Sequence, residues 1–116
     1  MRILIPILGV GFLLQGLVWI AAPRMAATNL GMPLLDGLGR STQIGDFAAF
    51  FLIAGATMLA GSRRGHERLL LVPAALFGCA AAGRTIAWLV HGAAFAGLFI
   101  GIELVVAVLL ARSARF

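Results

Sequence analysis

The side chains able to do chemistry are few, and they stand almost alone in apolar surroundings. Arg84 and Glu103 each lie in an apolar stretch, and the two stretches are joined at His91-Gly92-Ala93. Asp46 lies near the start of another such stretch, and Gln15 is the polar residue of the N-terminal run. An ionised group in hydrocarbon is costly, so it faces the protein interior and pairs with an opposite charge. With the turn centred on Gly92, Arg84 lies eight residues before it and Glu103 eleven after. At about 1.5 Å rise per helical residue their depths differ by roughly 4.5 Å, within the reach of an arginine side chain. The spacing therefore predicts an Arg84–Glu103 ion pair. Arg84, Trp88 and His91 fall at i, i+4 and i+7, on one helix face.

In an antiparallel arrangement, Gln15, Asp46, Arg84 and Glu103 reach similar depths in the outer half or near the middle. They predict one polar pocket open to the outer side, with Gln15, Asp46, Arg84, Trp88, His91 and Glu103 as its candidate ligand-binding residues. The competing reading is a polar clamp that holds apolar helices in register. Catalysis has no visible machinery, because the chain shows no activated nucleophile, metal cluster or phosphate-binding loop. His91, a lone histidine at a helix end, is a weak metal ligand, so no metal site is expected.

Composition sets the environment of these residues. Of 116 residues, 62% are hydrophobic and only 11% charged, with a mean hydropathy of +1.08. Soluble domains are nearer a quarter charged, so the expected class is an all-α integral membrane protein. The nine basic residues, all arginine, outnumber the four acidic ones but are scattered. No basic stripe is interleaved with aromatics, which argues against nucleic-acid binding. The single cysteine, Cys79, excludes an internal disulfide and CxxC redox chemistry.

Four apolar stretches, at about 3–22, 41–61, 69–90 and 93–111, predict an antiparallel bundle of four transmembrane helices forming one domain over 1–116. Arg2, the following apolar run and Ala21-Ala22 resemble a signal peptide, but Pro23 is a poor residue after a cleavage site, so the first helix is expected to be retained. The connection 23–40 is punctuated by Pro23, Gly31, Pro33, Gly37 and Gly39. Pro23 suits the first turn of a short helix through Thr28, and the leucines and methionines that follow predict an interfacial segment or a lid. Ser41 is the expected helix cap. Asp46 is then either a carboxylate below the interface that needs a partner, or a partly hydrated one near the helix start. Ala74, Gly78 and Ala82 form a small-residue face suited to close packing, as do Gly97 and Gly101, the latter within the bundle or against another copy. Trp19 and Trp88 map to outer helix ends, where interfacial aromatics belong.

The segments Gly45-Asp46-Phe47-Ala48-Ala49-Phe50-Phe51, Gly83-Arg84-Thr85 and Glu103-Leu104-Val105 resemble those of small, uncharacterised bacterial four-helix membrane proteins similar to the DoxX-like proteins. Thr85 and His91 depart from that pattern, which has a serine and an acidic residue there. The resemblance implies four helices, a bacterial inner-membrane location and, from some DoxX-like relatives, a role as an accessory subunit of a quinone-linked oxidoreductase.

The leading expectation is a non-enzymatic membrane module that binds a lipid, a quinone or another small amphipathic ligand, or a partner subunit, around Arg84, Glu103 and Asp46. The alternative is a proton-coupled transporter acting as a homo-oligomer, with Glu103 or Asp46 carrying the proton. The cofactor, if one is used, is not specified by the sequence.

Arginine placement predicts orientation. Arg2, Arg63, Arg64, Arg68, Arg112 and Arg115 fall on one side of a four-span chain, and Arg24 and Arg40 on the other. Positive residues collect on the cytoplasmic side, so both termini should be cytoplasmic. Reporter fusions after Arg64 and after Arg40 should give cytoplasmic and periplasmic signals respectively; a periplasmic signal after Arg64 would overturn the orientation.

Overall fold

The computed structural model describes residues 3–115. Arg2, counted above with the cytoplasmic arginines, lies outside them. The described residues are helical and contain no strand. Five α-helices form: α1 (Leu4–Ala21), α2 (Pro23–Asn29), α3 (Gly37–Gly61), α4 (Leu71–Val90) and α5 (Gly97–Ser113), with a 3-10 turn at Glu67–Leu70 leading into α4. Three segments, Leu4–Ala21, Gly37–Gly61 and Glu67–Val90, are long and apolar enough to cross a membrane. The described residues are thus all-helical, with three candidate membrane-spanning segments where the sequence pattern predicts four. The fourth apolar stretch gives α5, whose 17 residues rise about 25 Å, at the lower end of spanning length. The chain divides into two compact units, Met1–Leu59 and Ala60–Phe116.

In the first unit, α1 stops where sequence chemistry requires it. Ala22 precedes a proline, which disfavours helical geometry, and it takes φ −143° and ψ 66°. Pro23 then opens α2. α1 and α3 run antiparallel, as their contacts show: Gly9 lies against Met58, Leu13 against Gly55, and Gly16 against Leu52. Three glycines make this approach close. A Cβ on Gly55 would come 2.5 Å from the Leu13 nitrogen and 2.7 Å from the Gly9 oxygen. Phe12 and Phe51 stack farther along the seam with centroids 6.1 Å apart, and Trp19 and Phe47 stack at 5.0 Å.

The chain between α1 and α3 folds onto both helices of its unit, as the lid alternative for this connection expects. α2 buries Ala26 and Ala27 completely, and Leu30, Met32 and Leu34 pack on a core of Trp19, Ala26, Ala27, Ala48 and Phe51. Trp19 is therefore fully buried and not an interfacial anchor. α3 begins four residues before Ser41, because polar side chains fix its entry. Arg40 donates through Nε to the Leu35 carbonyl at 2.8 Å and pairs with the Asp36 carboxylate at 3.2 Å.

In the second unit, α4 and α5 pack as an antiparallel pair, with α5 also reaching the 3-10 turn that precedes α4. The buried face of α4 carries Pro73, Ala74, Phe77 and Ala81, and that of α5 carries Glu103, Val106 and Leu110. Both sets follow the helical period. The Ala74–Gly78–Ala82 face is thus only partly used: Gly78 has nothing within 4 Å of a Cβ position and Ala82 is exposed. Gly101 is likewise open, while a Cβ at Gly97 would come 2.7 Å from the ring of Phe95. Neither glycine of α5 packs on a neighbouring helix within the unit.

α5 starts four residues later than the apolar pattern suggests. The Ala93 and His91 amides both donate to the Ala87 carbonyl at 3.1 Å, and Gly92 takes φ +71°. This left-handed cap, with its six-residue hydrogen bond, ends α4 and turns the chain outward. Phe95 then folds onto Trp88, with centroids 4.6 Å apart, and only after it does the chain re-enter a helix.

The glycine seam gives a direct test. Gly55→Ala should destabilise the protein by about 1–3 kcal/mol, because the new methyl meets backbone that cannot retreat. Gly78→Ala and Gly101→Ala, in open positions, should be neutral or gain up to about 1 kcal/mol of helix propensity. Loss of helical signal on titration with a denaturing detergent would rank the three; equal midpoints would show that the seam is not tight.

Candidate functional site

The expected pairing forms. Arg84, on the inner face of α4, donates through Nε to both carboxylate oxygens of Glu103 on α5, each at 3.1 Å. The Glu103 side chain is 10% exposed and that of Arg84 32%. The guanidinium carbon lies 4.6 Å from the centroid of Phe99, one turn before Glu103, so the cation also rests on an aromatic face. Phe99 was overlooked in the sequence, although its i−4 relation to Glu103 was the available signal. Arginine usually meets a carboxylate with two parallel N–H groups. Here one Nε–H is shared, and the terminal N–H groups make no hydrogen bond to any described residue. The carboxylate is thereby compensated, while the outer edge of the guanidinium stays able to donate.

Trp88 and His91 share the helix face of Arg84 but do different work. Trp88 is half-exposed and stacks on Phe95. His91 is exposed and closes the helix with its backbone amide. Thr85 bonds back to the Ala81 carbonyl at 2.8 Å, which satisfies its hydroxyl within α4.

Gln15 and Asp46 belong to the first unit and have their own surroundings there. Gln15 Oε1 accepts from Asn29 Nδ2 at 3.4 Å. Asp46 is exposed and has no hydrogen bond or ion pair among the described residues. It is the tenth residue of α3 and lines a groove of about 460 Å³ with Met32, Leu35, Thr42, Gln43 and Phe47.

The sequence reading missed Gln43, which with Glu103 is one of two buried polar residues among the described residues. Its Nε2 donates to the Pro33 carbonyl at 3.0 Å and its Oε1 accepts from the Leu35 amide at 2.9 Å. One side-chain amide thus satisfies two backbone groups and ties the 33–35 segment to α3, as a neighbouring strand would. Among the described residues no group of three or more His, Cys, Asp or Glu side chains is placed to hold a metal ion. Cys79 is exposed.

These features define a membrane-type helical chain with a paired, partly accessible charge in its second unit. The chain matches no family model, no curated protein and no solved structure. The likeness to DoxX-like proteins rests on the short sequence motifs alone.

Arg84→Ala and Glu103→Ala should each cost about 3 kcal/mol. This is the low end for a buried pair, because Arg84 keeps part of its side chain exposed. Their double mutant should lose clearly less than the sum of the two. Additive losses would show that the residues do not meet in the membrane.

Proposed function

We propose that the chain is a non-enzymatic module of a bacterial inner membrane, with both termini cytoplasmic, that binds a small amphipathic ligand or lipid at Arg84 and Glu103. One observation carries this reading: the guanidinium is neutralised by Glu103 through Nε alone, leaving its terminal N–H groups without partners among the described residues. A pure clamp would favour the two-pronged geometry that uses more of the donors. Phe99 beneath the guanidinium and half-exposed Trp88 one turn away supply apolar surface for the body of such a ligand. Because the pair is already neutral, an added full negative charge would be uncompensated in a poorly hydrated setting. The site therefore suits a neutral or zwitterionic headgroup with exposed oxygen atoms.

Native mass spectrometry of gently solubilised protein tests the reading. Wild-type protein should retain a bound amphiphile. Arg84→Met/Glu103→Leu, which replaces the pair by apolar side chains of similar length, should keep its helix content and lose that mass. Equal retention by a folded double variant would leave the pair as a clamp, and a stoichiometric second protein in place of the amphiphile would make the site a subunit interface.

A further inference from the structure

One end of the second unit carries a charge excess, separate from the Arg84–Glu103 pair. Arg112 lies nine residues beyond Glu103, about 13 Å along α5. Two basic stretches meet there. The connection before α4 holds Arg63, Arg64 and Arg68, and the end of α5 holds Arg112 with Arg115 just after it. Because α4 and α5 are antiparallel, the end of α5 returns to the 3-10 turn Glu67–Leu70 and packs on it. The joint is apolar inside: Leu70, Leu110 and Ala114 are all buried. Gly61 admits Leu70, since a Cβ there would come 2.6 Å from Leu70 Cδ2. All five arginines around this joint are exposed, and none is in an ion pair among the described residues. Glu67 is the one acidic residue at this end. Like charges gathered within about a Debye length repel one another, and a bound anion relieves that repulsion. Next to the arginines the surface turns apolar at once, with Leu69, Leu71, Val72 and Val108 exposed.

We propose that Arg63, Arg64, Arg68, Arg112 and Arg115 form one docking surface for the headgroup of an anionic phospholipid, whose chains lie along the exposed apolar residues of α4 and α5. The proposal rests on the helices crossing a membrane and not on the Arg84 site. Three arguments choose this occupant. Every basic residue here is arginine, whose planar fork of donors matches phosphate oxygens. Five positive charges against one negative favour a headgroup with net negative charge, because a zwitterionic one brings its own cation and cancels most of the attraction. A basic cluster beside a spanning helix is also where anionic headgroups collect. The apolar surface beneath the arginines accounts for the chains, which a free anion lacks. Residues 61–72 and 108–115 contain no Phe or Trp, so the stacking platform that a single-stranded nucleic acid needs is missing.

Native mass spectrometry of delipidated protein in a nonionic detergent tests this with dioleoylphosphatidylglycerol and dioleoylphosphatidylcholine, which share their chains and differ in net headgroup charge. Wild-type protein should prefer the anionic lipid by a factor on the order of a hundred, at roughly fivefold per arginine engaged. That preference should collapse as ammonium acetate rises from about 0.1 M to about 1 M and the screening length falls from about 10 Å to about 3 Å. This arm needs no variant. Arg63→Gln/Arg64→Gln and Arg112→Gln/Arg115→Gln should each cut the preference about tenfold or more with helix content unchanged. Arg24→Glu, at an exposed arginine of the first unit, changes the net charge by the same two units and should leave the preference within about twofold. Equal binding of the two lipids, or a preference that salt does not alter, would overturn the proposal. So would a loss confined to one arginine pair, since the two stretches would then not share a surface, or an equal loss in Arg24→Glu. Inorganic phosphate that displaced the lipid at equal concentration would overturn lipid as the occupant. None of these readouts involves Arg84 or Glu103, so the two sites stand or fail separately.

Discussion

An ionised side chain in an apolar helical protein must be compensated, and the second unit is built around that requirement. Arg84 and Glu103 are drawn together from two helices that otherwise meet through Phe77, Ala81, Val106 and Leu110. Apolar side chains of this kind tolerate sliding by a turn, since one leucine serves nearly as well as the next. A carboxylate that must meet a guanidinium does not, so the pair sets the register of α4 against α5. The turn is matched to it. The cap at Gly92 and the folded Phe95 consume residues between the helices, and the two charges still meet at 3.1 Å.

The first unit solves a different problem by different means. Among its described residues it holds no buried charge, and its helices approach through glycine, with Gly55 against the backbone of Leu13 and Gly9. Without a hydrophobic driving force between helices in lipid, such close contact is a main source of cohesion. Polar side chains then serve the backbone and not one another. Gln43 closes the irregular 33–35 segment and Arg40 the entry to α3. Backbone without regular structure must find partners if it is to lie near hydrocarbon. Among the described residues, Gln15 Nε2 and Trp19 Nε1 have no hydrogen-bond partner.

Much of this was legible from residue order, because the governing signals are local or arithmetic. Long uncharged runs gave the apolar helices, Pro23 gave the start of α2, and counting residues from Gly92 brought Arg84 and Glu103 to one level. The misreadings share a cause in tertiary contacts that leave little trace in periodicity. Trp19 has the position of an interfacial aromatic, yet α2 and the 30–34 segment fold over it. The role of Gln43 depends on where Pro33 and Leu35 return to α3, which residue order does not show. α5 begins late because Phe95 folds back on Trp88, and nothing in an apolar run marks which phenylalanine will leave the helix. The open faces at Gly78 and Gly101 show that small-residue spacing permits close packing without requiring it.

The central claim is that Arg84 and Glu103 are in direct contact through Nε when the protein sits in a bilayer. Solid-state NMR dipolar recoupling between ¹⁵Nε of Arg84 and the ¹³C carboxyl of Glu103, on selectively labelled protein in lipid, measures that contact. The account predicts strong dephasing consistent with the 3.1 Å nitrogen–oxygen pairing, with the terminal guanidinium nitrogens farther from the same carboxyl. Absence of dephasing in a folded, membrane-inserted sample would contradict it.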